Sequence, residues 1–240
     1  MSVKVIIFDF DGTLADTFDA VVRISNRLAN EFGYKPAAPA DVAKIRSLSS
    51  REIIKQSGVS LFKIPFLLKR LKADLHYEIP QLSPVVGIQE ALIKLNHKGN
   101  RLGILTSNSE ENVRLFLNKH EMAGLFSFID SETKLFSKHK VLRKFLQKNF
   151  LTPEEVIYVG DETRDIEAAR KINMKAIAVS WGFNSKEALA AQNPEFLIHK
   201  PNELIDVIGR LHSAYSNDYV GGEVRAWNQD EEQSKHPRQL

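Results

Sequence analysis

Two aspartates, Asp9 and Asp11, directly follow the apolar run from Val5 to Phe8. The run is β-branched and aromatic and too short for a helix, so it predicts a buried central strand. Open α/β sheets bind their ligands at the carboxyl ends of such strands. Two carboxylates one residue apart repel each other unless a cation or a shared proton intervenes. Gly12 follows them and allows backbone to approach a ligand closely, so this strand end is a candidate for chemistry.

A second polar cluster, Thr106, Ser107 and Asn108, follows the apolar run from Leu102 to Leu105. Its position at the end of a predicted strand makes it a candidate binding site. Serine and asparagine are equally well suited to cap a helix that begins near Glu110. The residues alone leave both interpretations open.

A third predicted strand, Val156 to Val159, is followed by Gly160 and then by Asp161 and Asp165. The spacing places Asp165 one helical turn after Asp161, so both carboxylates can face the same point. The alternative is a helix start at which an acid favours the helix dipole. That alternative explains one acid better than it explains two.

The segment 9–13, Asp-Phe-Asp-Gly-Thr, resembles the first motif of the haloacid dehalogenase superfamily, Asp-x-Asp-Gly-Thr. A strand-to-turn corner is the alternative source of Asp and Gly at these positions. The cluster at 106–108 is similar to the second motif, and 160–165 is similar to the fourth, Gly-Asp-x-x-x-Asp. The resemblance covers roughly residues 3–210.

The third motif of this superfamily is a lysine, for which Lys138 and Lys140 compete. We favour Lys138, because a position at the start of a helix just after a loop can point inward. The Lys-Pro pair that is common in the family is missing here. Lys140 is the alternative, although it is better suited to a solvated helix face.

The resemblance implies a magnesium-dependent phosphatase that forms an aspartyl phosphate, with Asp9 as nucleophile and Asp11 as general acid and base. Lys138 would stabilise charge on the nucleophile and the phosphoryl group. The residues implied to bind substrate are Thr13, Thr106, Ser107 and Asn108. The implied ligands of Mg²⁺ are Asp9, Asp11 and Asp161, with Asp165 orienting Asp161 or Lys138. All of these ligands are hard oxygens, which suit magnesium.

A helical pattern from Ala15 to Phe32 follows the first motif, and Gly33 is suited to end it. Residues 34–80 also contain short helical patterns, such as the capping box from Ser49 to Glu52. From residue 85 onward, strands alternate with helices, which implies βαβ units and a parallel sheet. We predict an α/β fold: a Rossmann-like doubly wound parallel sheet with a small α-helical cap inserted after the first strand.

The predicted domains follow from this pattern. Residues 1–14 and 83–212 would form the α/β core, and 15–82 the cap that the resemblance places after the first strand. Residues 213–240 contain few apolar residues, a Gly-Gly pair and mixed charges, which predicts a disordered tail.

Composition limits the classes of protein. The 240 residues suit one large domain or a core with an insertion, and the absence of cysteine excludes disulfides and thiolate ligands. A net charge of +3 gives no case for a nucleic-acid partner, and no stretch is long and apolar enough for a membrane span. We therefore expect a cytoplasmic protein with no nucleic-acid or membrane partner, and the resemblance implies that its partner is a small phosphorylated metabolite. The sequence does not indicate the oligomeric state.

Three other functions are compatible with such a fold. A dehalogenase is disfavoured because the dehalogenases that the chain resembles lack the second aspartate, Asp11. A phosphomutase would share the aspartyl phosphate, and a non-catalytic binding protein would have lost motif residues that are present here. The substrate is open between phosphoglycolate, a sugar phosphate and a nucleotide. The cap is rich in basic residues, and Arg46 or Arg51 is our candidate for a substrate contact.

Overall fold

The architecture is a parallel sheet with helices on both faces, as a computed structural model of residues 3–131 and 137–212 shows. The predicted tail, 213–240, lies outside these described residues. The strands are β1 Val5–Phe8, β2 Arg101–Thr106, β3 Phe126–Ser131, β4 Val156–Gly160, β5 Lys175–Val179 and β6 Phe196–Ile198. Their order across the sheet is β3-β2-β1-β4-β5-β6, and every pair is parallel.

Four helices lie within residues 15–82, where the sequence predicts the inserted cap. They are α1 Phe18–Phe32, α2 Val42–Ser47, α3 Ser50–Ser57 and α4 Ile64–Glu78. The later helices are α5 Ile88–His97, α6 Glu110–Lys119, α7 Lys138–Asn149, α8 Thr163–Arg170 and α9 Lys186–Ala190, and residues 203–212 are also helical. The predicted fold class is therefore confirmed. No described helix combines the length and the apolar character needed to cross a membrane.

Local sequence signals account for several helix ends. The Ser49 hydroxyl accepts a hydrogen bond from the Glu52 amide, and the Glu52 carboxylate accepts one from the Ser49 amide, so the predicted capping box opens α3. Helix α1 ends at Gly33 with φ of 77°, as predicted. It begins at Phe18 rather than Ala15, because the Ala15 amide bonds the Phe10 carbonyl in the turn after β1.

Strand β1 lies at the centre of the sheet and is buried on both faces. Ile6 and Phe8 pack into the core cluster on one face, and Val5 and Ile7 pack into the cluster on the other. This alternation follows from the two-residue period of a strand. Phe8 lies beside both Ile104 of β2 and Val159 of β4. The residues that follow these three strands therefore emerge together at one edge of the sheet.

The helical segment and the sheet are joined by two chain crossings that lie side by side. The Asp16 amide donates to the Ser83 carbonyl at 3.0 Å, and the Val85 amide donates to the Leu14 carbonyl at 3.0 Å. Because both crossings occur at this single point, we propose the boundaries of the cap at 14/15 and 82/83.

Gly103 of β2 provides a test of the packing between the sheet and α7. A methyl group at this position would overlap the ring of Phe128, which stacks on Phe145 at 4.6 Å between ring centroids. We expect Gly103→Ala to lower the free energy of unfolding by about 1–3 kcal/mol in urea denaturation, because overpacking forces the ring to move. Gly124→Ala is the control, since its methyl group would have no neighbour within 4 Å. Equal stability of Gly103→Ala and wild type would contradict this packing.

Candidate active site

Three buried carboxylates meet at the edge of the sheet that the strand register predicts. Asp9 follows β1, Asp161 follows β4, and Asp165 lies in the first turn of α8. One carboxylate oxygen from each lies within 4.8 Å of the other two. Three such charges cannot be sequestered from water together without positive charge beside them. The chemistry of this donor set therefore fits a metal ion with a preference for oxygen.

Lys138, the first residue of α7, supplies one positive charge. Its Nζ lies 2.9 Å from Asp9 Oδ2 and 2.6 Å from Asp165 Oδ1, and its side chain is only 7% exposed. Burial alone lowers the pKa of Lys138, but Asp165 and Asp9 more than offset this and raise it above its usual value. Lys140, the competing candidate, is exposed. Of the two lysines, the structure brings Lys138 into the cluster.

The carboxylate of Asp161 is held by two hydrogen bonds, one from a residue that follows β1 and one from a residue that follows β5. Its Oδ1 accepts a hydrogen bond from the Thr13 hydroxyl at 2.7 Å, and its Oδ2 accepts one from the Phe183 amide at 2.6 Å. Burial, then Glu162 and Asp9, raise the pKa of Asp161 well above its usual value. The ionised form of Asp161 is therefore unfavourable until a cation compensates it. Thr13, a predicted substrate ligand, orients this carboxylate in the structure.

Gly12 is the one position in the first motif at which glycine is required by geometry. Its φ is +74°, a conformation that other residues rarely adopt. A methyl group there would also overlap the carboxylate of Asp161 and the ring of Phe183. The glycine thus permits the turn after β1 to lie directly against the side chain of Asp161.

Asp11 is set apart from the carboxylate cluster and is held by Asn108. The Asn108 Nδ2 group lies 3.1 Å from each oxygen of the Asp11 carboxylate. Desolvation, with a further contribution from Asp9, raises the pKa of Asp11 from 3.8 to about 7. Both protonation states are therefore accessible near neutral pH, as a general acid and base requires. Asp11 also keeps some exposure, which leaves a path for its proton.

The polar cluster after β2 faces the site, and the helix cap falls on the next residue. Ser109, rather than Ser107 or Asn108, accepts the capping hydrogen bond from the Asn112 amide. Thr106 is fully buried, and its hydroxyl accepts the Asn108 amide at 3.0 Å. The Ser107 hydroxyl lies 3.5 Å from an Arg164 nitrogen. Because Ser109 has the role of capping α6, residues 106–108 are not needed for that role and are available to the site.

Several residues near the site carry no signal in the sequence pattern. Glu162 accepts a hydrogen bond from Ser50 of α3 at 2.7 Å and forms an ion pair with Arg164, whose side chain is 14% exposed. Asn184 donates to the carbonyls of Arg46 and Leu48 in the helical segment. These contacts join distant parts of the chain, which a local pattern cannot reveal.

The two candidate substrate arginines lie in different surroundings. The Arg46 guanidinium donates to the Gly182 carbonyl and lies over the ring of Phe18, 4.7 Å from its centroid. Arg51 lines a cavity of about 1610 Å³ between α3, α4 and the start of α6. That volume refers to the described residues. Further basic residues that line it are Lys55, Lys69 and Lys72.

Comparison with known proteins agrees with this geometry. Residues 6–179 match the family model of the haloacid dehalogenase-like hydrolases. The chain belongs to this family. The family predicted from the sequence motifs, and with it the class of hydrolase, is confirmed.

Among relatives of this haloacid dehalogenase-like hydrolase, a phosphoglycolate phosphatase of Synechococcus elongatus is 39% identical over 208 residues, covering 87% of this chain and 98% of the relative. The pyrophosphatase PpaX of Bacillus mycoides is 23% identical over 218 residues, covering 88% and 100%. A haloacid dehalogenase-like hydrolase of Streptococcus pneumoniae has the same fold, with a TM-score of 0.70 and 22% identity over 85% of this chain and 98% of that one.

Replacing Lys138 tests the charge balance of the cluster. We expect Lys138→Met to lower the free energy of unfolding at neutral pH by about 3–5 kcal/mol, because Asp9 and Asp165 lose the cation that compensates them. The loss should shrink at acidic pH, where the carboxyl groups take up protons. Thermal melts at neutral and at acidic pH measure this loss of stability. Lys140→Met, which replaces an exposed lysine, is the control. A stable Lys138→Met protein at neutral pH would contradict the assigned ion pairs.

The raised pKa of Asp11 predicts a pH-dependent stability in the metal-free protein. The folded state holds this proton up to pH of about 7, whereas the unfolded state releases it near 3.8, so the stability from Asp11 is lost as pH rises through this interval. Asp11→Asn removes that loss. We expect the variant to melt at least about 3 °C above wild type at pH 8, since 1 kcal/mol corresponds to roughly 2–4 °C in a chain of this size.

Melting in the presence of a chelator at pH 4.0, which is at the lower end of the titration interval, and at pH 8.0, about one unit above its upper end, measures this difference. The difference in melting temperature between Asp11→Asn and wild type should vanish at the lower pH. An advantage of the same size at both pH values would show that Asp11 does not titrate in this interval.

Proposed function

We propose that this protein is a magnesium-dependent phosphatase that hydrolyses a small phosphomonoester through an aspartyl phosphate on Asp9. One observation carries the proposal: the buried Asp9 carboxylate is oriented by Lys138, and Asp11, with a pKa of about 7, lies two residues away. A two-step displacement at phosphorus needs a carboxylate nucleophile and a separate group that can give and take a proton near neutral pH. Family membership supports hydrolysis, and the names of the relatives support a phosphate substrate.

The residues that would hold Mg²⁺ are Asp9, Asp161 and the carbonyl oxygen of Asp11. When bound, the ion would offset the charge of the carboxylates and of the phosphoryl group. Asp165 accepts hydrogen bonds from Lys138 at 2.6 Å and from the Glu162 amide at 3.1 Å. These contacts support a role in which Asp165 orients Lys138 rather than binding the metal.

The protein groups then divide the reaction between them. An Asp9 oxygen attacks phosphorus while the bond to the leaving oxygen breaks, and Asp11 gives its proton to that oxygen. Asp11, now ionised, takes a proton from the water that attacks the acyl phosphate, which frees phosphate and restores Asp9. Lys138 and the groups at 106–108 would hold phosphoryl oxygens, because positioning and electrostatics dominate phosphoryl transfer.

The substrate class is proposed from the cavity and from the relatives. Basic side chains outnumber acidic ones in the lining of the cavity: the basic residues are Arg51, Lys55, Lys69 and Lys72, and the acidic residues are Glu110 and Glu111. The basic side chains would attract an ester whose leaving group is itself anionic. One relative is a phosphoglycolate phosphatase and another a pyrophosphatase, which favours such substrates over neutral esters. We propose phosphoglycolate as the first candidate, with sugar phosphates, nucleotides and pyrophosphate to be compared. A cytoplasmic location stays a prediction.

Phosphate release tests the proposed function. We expect wild type to release phosphate from 2-phosphoglycolate and from p-nitrophenyl phosphate with Mg²⁺ present, and not with a chelator. Asp9→Asn should lower kcat on the order of 10³-fold or more, because the nucleophile is lost. Asp16→Asn is the matched control, since Asp16 is exposed on the same loop.

Other outcomes separate the competing functions. Phosphorylated product in place of free phosphate would indicate a phosphomutase. No turnover of either ester, of sugar phosphates, of nucleotides or of pyrophosphate would favour a binding protein. Undiminished activity of Asp9→Asn would show that Asp9 is not the nucleophile.

A further inference from the structure

A chain of hydrogen bonds runs from α4 to the carboxylate of Asp11. His76 Nδ1 lies 2.8 Å from Asn112 Oδ1, and Asn112 Nδ2 lies 2.9 Å from Asn108 Oδ1. Asn108 Nδ2 then bonds both oxygens of Asp11 at 3.1 Å. His76 belongs to the helical segment, whereas Asn112 belongs to α6 beside the sheet. This chain of hydrogen bonds therefore joins the helical segment to α6 beside the sheet through side chains alone.

Backbone groups determine the direction of every bond in this chain. The Ser109 amide donates to Asn108 Oδ1 at 2.8 Å, so that atom is an acceptor and the Asn108 nitrogen faces Asp11. Asn112 Nδ2 donates to the Lys72 carbonyl at 3.1 Å, so its oxygen faces His76. His76 must then donate from Nδ1. Each donor points toward Asp11.

Burial restricts the side-chain amides in this chain of hydrogen bonds to one orientation each. Asn108 and Asn112 are 2% and 1% exposed, so water does not compete for their amides. An amide buried without partners is costly, which holds each one in the orientation that satisfies its neighbours. Successive hydrogen bonds in one direction also polarise each other. Loss of the first donor therefore affects the last one.

We propose that His76 and Asn112 are positioning residues that orient Asn108 and, through it, the proton-carrying side chain of Asp11. This inference rests on the proposed function, in which Asp11 protonates the leaving oxygen. Neither residue needs to touch the reacting atoms. His76 acts from α4, which also accepts the Asn112 amide through the Lys72 carbonyl, so the correct orientation of Asp11 depends on α4 lying against α6.

A comparison of two substrates with different leaving groups tests whether His76 and Asn112 orient Asp11. An alkoxide, as released from 2-phosphoglycolate, needs a proton in the transition state, whereas nitrophenolate is stabilised by resonance and leaves without one. The later hydrolysis of the acyl phosphate uses Asp11 for both substrates. The release of the leaving group should therefore be measured in a single turnover, with magnesium-loaded enzyme, together with steady-state kcat and KM.

The variants are chosen to separate hydrogen bonding from packing. His76→Leu removes the donor, and His76→Asn restores an N–H group near the position of Nδ1. His120→Leu is the matched control, because His120 is a partly buried histidine of the same region that bonds the Leu82 carbonyl at 3.0 Å. Asn112→Leu is a second test of the chain. Thermal melts establish that each variant is folded.

We expect His76→Leu to slow glycolate release about fivefold to tenfold, the effect of losing roughly one hydrogen bond. Nitrophenolate release and KM should stay within about twofold of wild type. His76→Asn should recover most of the rate, His120→Leu should match wild type, and Asn112→Leu should repeat the pattern of His76→Leu.

A change in KM alone would overturn the proposal, because it would make His76 a substrate contact in the cavity that it lines. Equal slowing of both leaving groups, or failure of His76→Asn to recover the rate, would also overturn it. Absence of turnover in wild type would instead defeat the proposed function, so the two failures are distinguishable.

Discussion

The site depends on one interaction: the buried ion pairs of Lys138 with Asp9 and Asp165. Three carboxylates are held at this sheet edge and one lysine compensates them, so two negative charges are left if all are ionised. This excess destabilises the folded protein and at the same time creates affinity for a cation. Burial, followed by the charges of Glu162 and Asp9, raises the pKa of Asp161 well above its usual value. The uncompensated carboxylates thus lower the stability of the folded protein, and they also preorganise the site for a positively charged ligand.

The sheet makes this arrangement possible because parallel strands in register end together. Asp9 and Asp161 are 152 positions apart in the chain, yet β1 and β4 are neighbours and bring them to the same edge. Gly12, which has no side chain, leaves room for the Asp161 carboxylate beside the turn after β1. Asp11, next to this cluster, is bound by the amide of Asn108 rather than by a cation, and desolvation raises its pKa to about 7. The two neighbouring aspartates thus lie in different surroundings, as the different roles proposed for them require.

The helical segment contacts the sheet side at two places that flank the site. On one side Asn184 and Glu162 bind the segment around residues 46–50, close to Asp161. On the other side His76 and the Lys72 carbonyl bind Asn112. Both contacts use polar groups, and they lie beside an apolar core that α1 and Leu75 of α4 share with the sheet and α6. The apolar core holds the segment on the sheet side, whereas the directional hydrogen bonds fix the orientation of groups around the site.

The sequence by itself determined the α/β fold, its inserted helices and the acids at the strand ends. Apolar periodicity reports local burial, and Asp9 and Asp161 directly follow strands whose burial the pattern reveals. The sequence favoured Lys138 over Lys140, but only the tertiary structure shows its ion pairs with Asp9 and Asp165, because these three residues lie on separate elements. The link from His76 to Asn112 was likewise invisible, since a histidine and an asparagine 36 residues apart have no local pattern in common. Long-range hydrogen bonds depend on how elements pack, and packing is a property of the whole chain.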